Sequence, residues 1–346
     1  MAVLTQRSSN IELLRIYAMF FIVFGHMWAS RSHASSDSVG GMLMLNSVGI
    51  GVVDIFILIT GYFLIDKTGF TLVRFFKILF EVMFYNFVIV LTFFALGEAP
   101  WTDLLSCLYP LGPTKFNVWF VSQYFALILV QPFLSRLVER MTQRQYAGFL
   151  CVMLLLTSVL VPGFPWGYLY SSSWKVSWFI TLFLAGGYIR KYGLPSCNIA
   201  IYLTLFVALS VIWSAAYLGI IDFVEIGYNS LLTFGVAVSL FYIMLKVRMK
   251  PVGWVNSVAG STFAVYLIHQ NHYIVKTWQL YMPQPLGDGF WEVLLSGFLY
   301  IAVIFMACVA IDRVRIYLFE LCRIPRVQQW LSDNIINKVR HVLTKI

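Results

Sequence analysis

Charge is scarce in this chain. Only 11% of its 346 residues are Asp, Glu, Lys or Arg, against 60% hydrophobic residues, and the mean hydropathy is +0.82. A typical soluble domain carries about 25% charged residues. A soluble globular fold is therefore excluded and a polytopic membrane protein is expected. Cysteine is sparse too. Cys107, Cys151, Cys197, Cys308 and Cys322 show no paired metal spacing and mostly sit in apolar runs. They read as buried small hydrophobes, not as a disulfide framework or zinc site. The sequence lacks a glycine-rich phosphate loop, a zinc-type His/Cys cluster and a G-x-S-x-G turn, so no metal is expected. It also lacks an internal repeat and a low-complexity linker, which predicts one domain over 1–346. No cleavable leader is expected, because the first apolar stretch is too long for a signal h-region.

Long apolar runs are abundant. Ten segments are long enough to span a bilayer, at 10–29, 47–65, 72–96, 117–134, 147–162, 176–190, 198–218, 229–247, 255–275 and 291–312. The predicted fold is an all-α integral membrane protein with about ten transmembrane helices and both termini cytoplasmic. Lys/Arg placement sets that orientation. The inner loops carry Lys67, Arg74 and Lys77, then Arg136, Arg140 and Arg144, then Arg190 and Lys191, then Lys246, Arg248 and Lys250. The outer loops carry only Arg31, Lys115, Lys175 and Lys276. This is the positive-inside pattern. It also accounts for the net charge of +9 without nucleic acid as a partner. The tail 323–346 mixes basic residues with Val327, Trp330, Leu331, Ile335 and Ile336. It reads as an amphipathic helix on the inner membrane surface.

The first segment carries ionisable groups inside its apolar run. Arg15 and His26 are eleven residues apart, about three helical turns, so they share a face roughly 16 Å apart along the axis. Ionisable groups in a bilayer are costly and mark functional pathways by default. Arg15 falls near the cytoplasmic mouth and His26 near the outer end, where an imidazole is a natural general base. Asp54, in the outer half of the second segment, lies at a depth similar to His26. A carboxylate accepting the Nδ1 proton would orient His26 and raise its basicity. Structural packing roles for all three are the alternatives.

Four motifs then appear in order. The first is Ile11-Glu-Leu-Leu-Arg15 with His26. The second is Val53-Asp54-Ile-Phe-Ile-Leu-Ile-Thr60-Gly61-Tyr62. The third is Val118-Trp119-Phe120 with Gln131-Pro132, and the fourth is Ser261-Thr-Phe-Ala-Val-Tyr266-Leu-Ile-His269. Together they resemble the membrane acyltransferase-3 family. Thr60 stands where that family usually has serine, and a W-S-L-S-V-E-E-Q-F-Y motif of one branch is not matched. The chain looks closer to the branch that handles bacterial polysaccharides.

The resemblance implies O-acyl transfer in a plasma or inner membrane. Acetyl would move from cytoplasmic acetyl-CoA to a hydroxyl of an extracytoplasmic polysaccharide or glycolipid. Arg15, Arg74 and Lys77 are then candidates for the donor's phosphates. Trp119, Gln123, Ser261 and Tyr266 are candidates for substrate contact and oxyanion donation. The aromatic stretch around Trp166, with His269 and His272, is a candidate acceptor surface. Because some relatives have been regarded as exporters, a polysaccharide or lipid-linked-sugar exporter is the alternative.

Overall fold

The computed structural model describes residues 8–31, 49–69, 71–109, 119–159, 176–195, 198–221, 227–281 and 290–343. Every regular element among them is helical. In chain order these are α1 (Ser9–Arg31), α2 (Val52–Leu64), α3 (Val73–Ala95), α4 (Trp101–Ser106), α5 (Trp119–Glu139), α6 (Gln143–Leu154), α7 (Val176–Tyr192), α8 (Ile199–Tyr217), α9 (Leu231–Lys246), α10 (Gly253–Ala259), α11 (Thr262–His269), α12 (His272–Tyr281), α13 (Phe290–Leu321) and α14 (Ile324–Leu343). Helix α6 continues as a π-helical turn, Leu155–Val159. Among the described residues four helices are long and apolar enough to cross a membrane: α3, α5, α8 and the Leu295–Leu321 part of α13. Helices α2 and α9 are apolar but shorter.

The segment expected as one span over 255–275 is instead three short helices, α10 to α12. The breaks fall at Gly260-Ser261 and Gln270-Asn271. At the second break Asn271 Oδ1 accepts from the Tyr273 backbone N–H at 3.1 Å. That side-chain bond is the one that starts a new helix, so a local cap overrides the continuous apolar pattern. Helix α13 also runs on past the expected end at 312, which makes Arg313 and Arg315 helical residues.

The chain divides into two compact units. One comprises Met1–Thr68, Phe133–Gly260 and Pro285–Ile301; the other comprises Gly69–Pro132, Ser261–Gln284 and Ala302–Ile346.

The first unit is built on the packing of α2 against α7. Asp54 meets Trp178, Gly61 meets Phe183 and Asp66 meets Arg190. These pairs advance together along both segments, so the two helices run parallel. A Cβ placed on Gly61 would collide with the Phe183 carbonyl, and one on Gly186 with the Leu58 carbonyl. The two backbones are therefore nearly in contact, which only glycine permits. Small residues allow such close helix approach in apolar surroundings. Helix α6 runs antiparallel to α7, as Tyr146 donates to Leu184 O at 2.8 Å while Thr157 meets Thr181 eleven residues later. Helices α8 and α9 are also antiparallel, with Tyr202 against Tyr242 and Leu209 against Gly235. The start of α1 is pinned by side chains. Ser9 Oγ donates to Asn256 Oδ1 at 2.9 Å, and Asn10 Nδ2 donates to Met244 O at 2.8 Å.

In the second unit α3 and α13 are antiparallel: Tyr85 meets Asp312 and Glu81, one turn earlier, meets Arg315. The Tyr273 hydroxyl donates to Asp103, and Asn271 Nδ2 donates to Asn86 Oδ1 at 3.4 Å. Helix α14 packs polar side chains inward. Its Gln328 and Ser332 are buried, and Ser332 Oγ accepts from Leu72 N at 3.1 Å. Trp330 and Val327 are left exposed.

The α2–α7 crossing makes a direct prediction. Gly61→Ala and Gly186→Ala should each destabilise the protein by about 3 kcal/mol, at the upper end of ordinary overpacking costs. Gly148→Ala, where a Cβ meets nothing within 4 Å, should be neutral or stabilising by up to about 1 kcal/mol. Thermal unfolding of the three variants in one detergent checks this. Equal melting of Gly61→Ala and wild type would refute the close crossing.

Candidate functional site

The first unit holds Arg15, His26 and Asp54. Arg15 and His26 both lie on α1. Arg15 is 31% exposed and its Nη1 sits 3.4 Å from the buried Glu12 carboxylate, three residues earlier. The pair is intrahelical, and it holds the guanidinium at a defined position near the start of α1. His26 is half-buried, near the other end of the same helix.

Asp54 is placed differently from expectation. It lies in the first turn of α2, behind Gly51, whose φ of 71° suits glycine. Its Oδ1 accepts from Trp178 Nε1 at 3.1 Å. Its Oδ2 is buried and has no hydrogen-bond partner among the described residues. The expected Asp54–His26 hydrogen bond is thus not made, and the carboxylate is engaged by an indole from α7. The parallel α2–α7 packing is the reason, because it sets residue 54 beside residue 178 as it sets Gly61 beside Phe183. Burial first, and the Asp54 charge second, raise the Tyr228 phenol above its ordinary range.

The second unit holds Arg74, Lys77, Trp119, Gln123 and Tyr266. Arg74, in the first turn of α3, lies close to Tyr124 of α5, and its neighbour Phe75 packs against Phe125 with ring centroids 4.7 Å apart. Tyr124 stacks on Phe120 at 5.7 Å. Phe120 also meets Trp119 edge-on at 5.9 Å and Tyr266 of α11 at 5.7 Å. The structure therefore gathers Arg74, Trp119 and Tyr266 around one aromatic stack. Gln123 is half-buried on the same helix as that stack, and Lys77 is exposed. His269 is buried, with Nδ1 2.6 Å from Val265 O. A carbonyl only accepts, so Nδ1 carries a proton. Ser261 Oγ accepts from Arg313 Nη2 at 3.1 Å. Trp166 lies outside the described residues.

Two constellations escaped the sequence reading. One is Trp178, which only the helix pairing brings to Asp54. The other is a largely buried ionic cluster in the second unit. Asp312 Oδ1 accepts from Tyr85 at 2.6 Å and from Arg315 Nε at 2.7 Å, while Arg315 Nη2 is 3.5 Å from Glu81. Glu81 was visible as an acid inside the third apolar run, and that signal alone marked it. Cys107 has no nucleophile setting. Its thiol donates to Asp103 O at 3.2 Å, and burial, helped by the Asp103 charge, pushes it up to about 11. Among the described residues no three His, Cys, Asp or Glu side chains gather as a metal site.

Removing one partner of a buried ion pair typically costs about 3–5 kcal/mol, because the other charge is left uncompensated. Arg315→Ala should lower thermal stability by that order, and the double variant Arg315→Ala, Glu81→Gln should recover part of it. Additive losses in the double variant would show that the two groups do not act together.

A family model described as an acyltransferase domain (Acyl_transf_3) matches residues 8–313. No curated protein and no solved structure matches the chain.

Proposed function

Because this chain belongs to the acyltransferase-3 family, we propose that it is a membrane O-acyltransferase that moves acetyl from cytoplasmic acetyl-CoA to a hydroxyl of an extracytoplasmic polysaccharide or glycolipid. The observation that carries the reading is the family match over 8–313, which includes α1 with both Arg15 and His26. In this mechanism the His26 imidazole takes the proton of the acceptor hydroxyl. The hydroxyl oxygen attacks the thioester carbonyl, the carbon–sulfur bond breaks, and the CoA thiolate recovers the proton from the imidazolium. General-base help of this kind supplies about 10²–10⁴-fold. Arg74, with Arg15 and Lys77, binds the donor's phosphates, and guanidinium is the better match to phosphate geometry. Trp119, Gln123 and Tyr266 contact the substrate.

The ten-span topology with cytoplasmic termini belongs to the same proposal. Helix directions support it. Alternating spans require α2 and α7 to be parallel, and α6–α7, α8–α9 and α3–α13 to be antiparallel, as they are within each unit. Helix α14, with exposed Trp330 beside Arg323 and Arg326, then lies at the inner surface of a plasma or inner membrane. The exporter alternative draws on one observation, the interrupted segment α10–α12, because broken helices are a feature of transporters.

Purified protein in liposomes, given radiolabelled acetyl-CoA and crude surface glycan, tests the reading. Wild type should label the glycan. His26→Ala should lose at least about 10²-fold in rate while inserting and folding normally, and Arg74→Ala should mainly weaken acetyl-CoA binding. Full activity in His26→Ala would remove the proposed base. Glycan export without acyl-CoA, and no label transfer, would favour the exporter.

A further inference from the structure

Helix α14 carries polar side chains inward and apolar ones outward. Gln328 and Ser332 are buried where the helix packs on α3. Trp330 is 64% exposed, and Val327 is exposed with it. Water selects the reverse arrangement, so this outer face is not built for solvent.

Cations frame the apolar pair. With about 3.6 residues per turn, Arg326, Trp330, Val327 and Lys338 fall within about 120° of arc. Arg326 and Lys338 are both exposed. Arg323, also exposed, makes the corner between α13 and α14 with a φ of 56°. Glycine adopts that left-handed conformation at less cost, and an arginine there leaves a guanidinium at the start of the same helix. Over 323–346 the sequence sets Arg323, Arg326, Lys338, Arg340 and Lys345 against a single acid, Asp333. That carboxylate is engaged by Gln329, whose Nε2 lies 2.9 and 3.1 Å from its two oxygens.

The combination selects the partner. A nucleic acid or an acidic protein would match the cations and leave Trp330 and Val327 uncovered. A neutral lipid would take the apolar pair and leave the cations unmatched. An anionic bilayer surface meets both, because the acyl boundary receives the indole and valine while the headgroups face the guanidinium and ammonium groups.

The inner side of α14 reaches the cations assigned to the donor. Helix α3 starts at Leu72, whose side chain makes no cap. The Leu72 N–H donates instead to Ser332 Oγ of α14 at 3.1 Å. Arg74 and Lys77 follow in the next turn of α3. We propose that α14 docks on anionic lipid headgroups and, through Ser332, holds the first turn of α3, so that anionic lipid strengthens donor binding. The docking is independent of the acyl-transfer reading; its effect on the donor rests on that reading.

The test uses full-length protein in nanodiscs of phosphatidylcholine alone or of phosphatidylcholine mixed with phosphatidylglycerol. Native mass spectrometry reads which lipid stays bound, and hydrogen exchange reads the protection of 324–343. Wild type should retain phosphatidylglycerol in preference to phosphatidylcholine. Its α14 should exchange more slowly in the mixed discs, an effect that fades as salt rises. The triple variant Arg323→Gln, Arg326→Gln, Lys338→Gln should lose at least about tenfold of that preference, since each cation near an anionic surface contributes. Acetyl-CoA should bind wild type about fivefold more tightly in the mixed discs, at the low end of ordinary coupling, although a negative surface by itself repels an anion. Ser332→Ala should keep the lipid preference and lose that tightening. Three results would each overturn the docking: equal retention of both lipids by wild type, an undiminished preference in the triple variant, or protection of 324–343 that follows protein concentration and not lipid, which would place a second copy on this face. Tightening that survives in Ser332→Ala would overturn the coupling. Failure of the acyl-transfer reading appears separately, as lipid preference without acetyl-CoA binding in either disc.

Discussion

The near-contact of two backbones at Gly61 and Gly186 sets the geometry of the first unit. In an apolar assembly there is no hydrophobic force between helices, because lipid is as apolar as leucine; packing and hydrogen bonding decide which faces meet. Here two glycines, each lying on a carbonyl of the other helix, fix both the separation and the register of α2 and α7. Everything polar along that seam follows. The same register that sets Gly61 on Phe183 sets Asp54 on Trp178 two turns earlier and Asp66 on Arg190 at the far end. A side chain at either glycine would push the helices apart and weaken the Asp54–Trp178 bond with them. The glycine of the Thr60-Gly61-Tyr62 motif is therefore a packing residue that positions a carboxylate seven residues away.

The second unit solves a related problem with charge in place of close approach. Asp312 is fully buried, and isolated ionised carboxylates are very costly in apolar surroundings. Tyr85 and Arg315 both donate to it, and Arg315 also reaches Glu81. The guanidinium suits this role because its planar fork serves two acceptors at once and stays charged when buried. Its Cζ lies 5.0 Å from the Phe319 ring centroid, which adds a cation–π contact. The arrangement locks α3 to α13 in a single register, since a shift of one residue would strand at least one charge.

Much of this was legible in the residues. The all-helical class and the polytopic character follow from apolar run lengths and the low charged fraction, and the family match agrees with motifs spread from Arg15 to His269. What was not legible depended on pairings between distant segments. Asp54 was recognisable as a functional candidate, but its partner was not, because nothing in the sequence places residue 178 beside residue 54. The pairing of Arg315 was not legible either, because an arginine just past an apolar run looks the same whether the helix stops or continues. The breaks within 253–281 were hidden for a different reason: Asn271 acts as a helix cap inside an otherwise apolar stretch, and hydropathy averages over it. Local patterns report burial and period well, while register and caps are settled by individual side-chain hydrogen bonds.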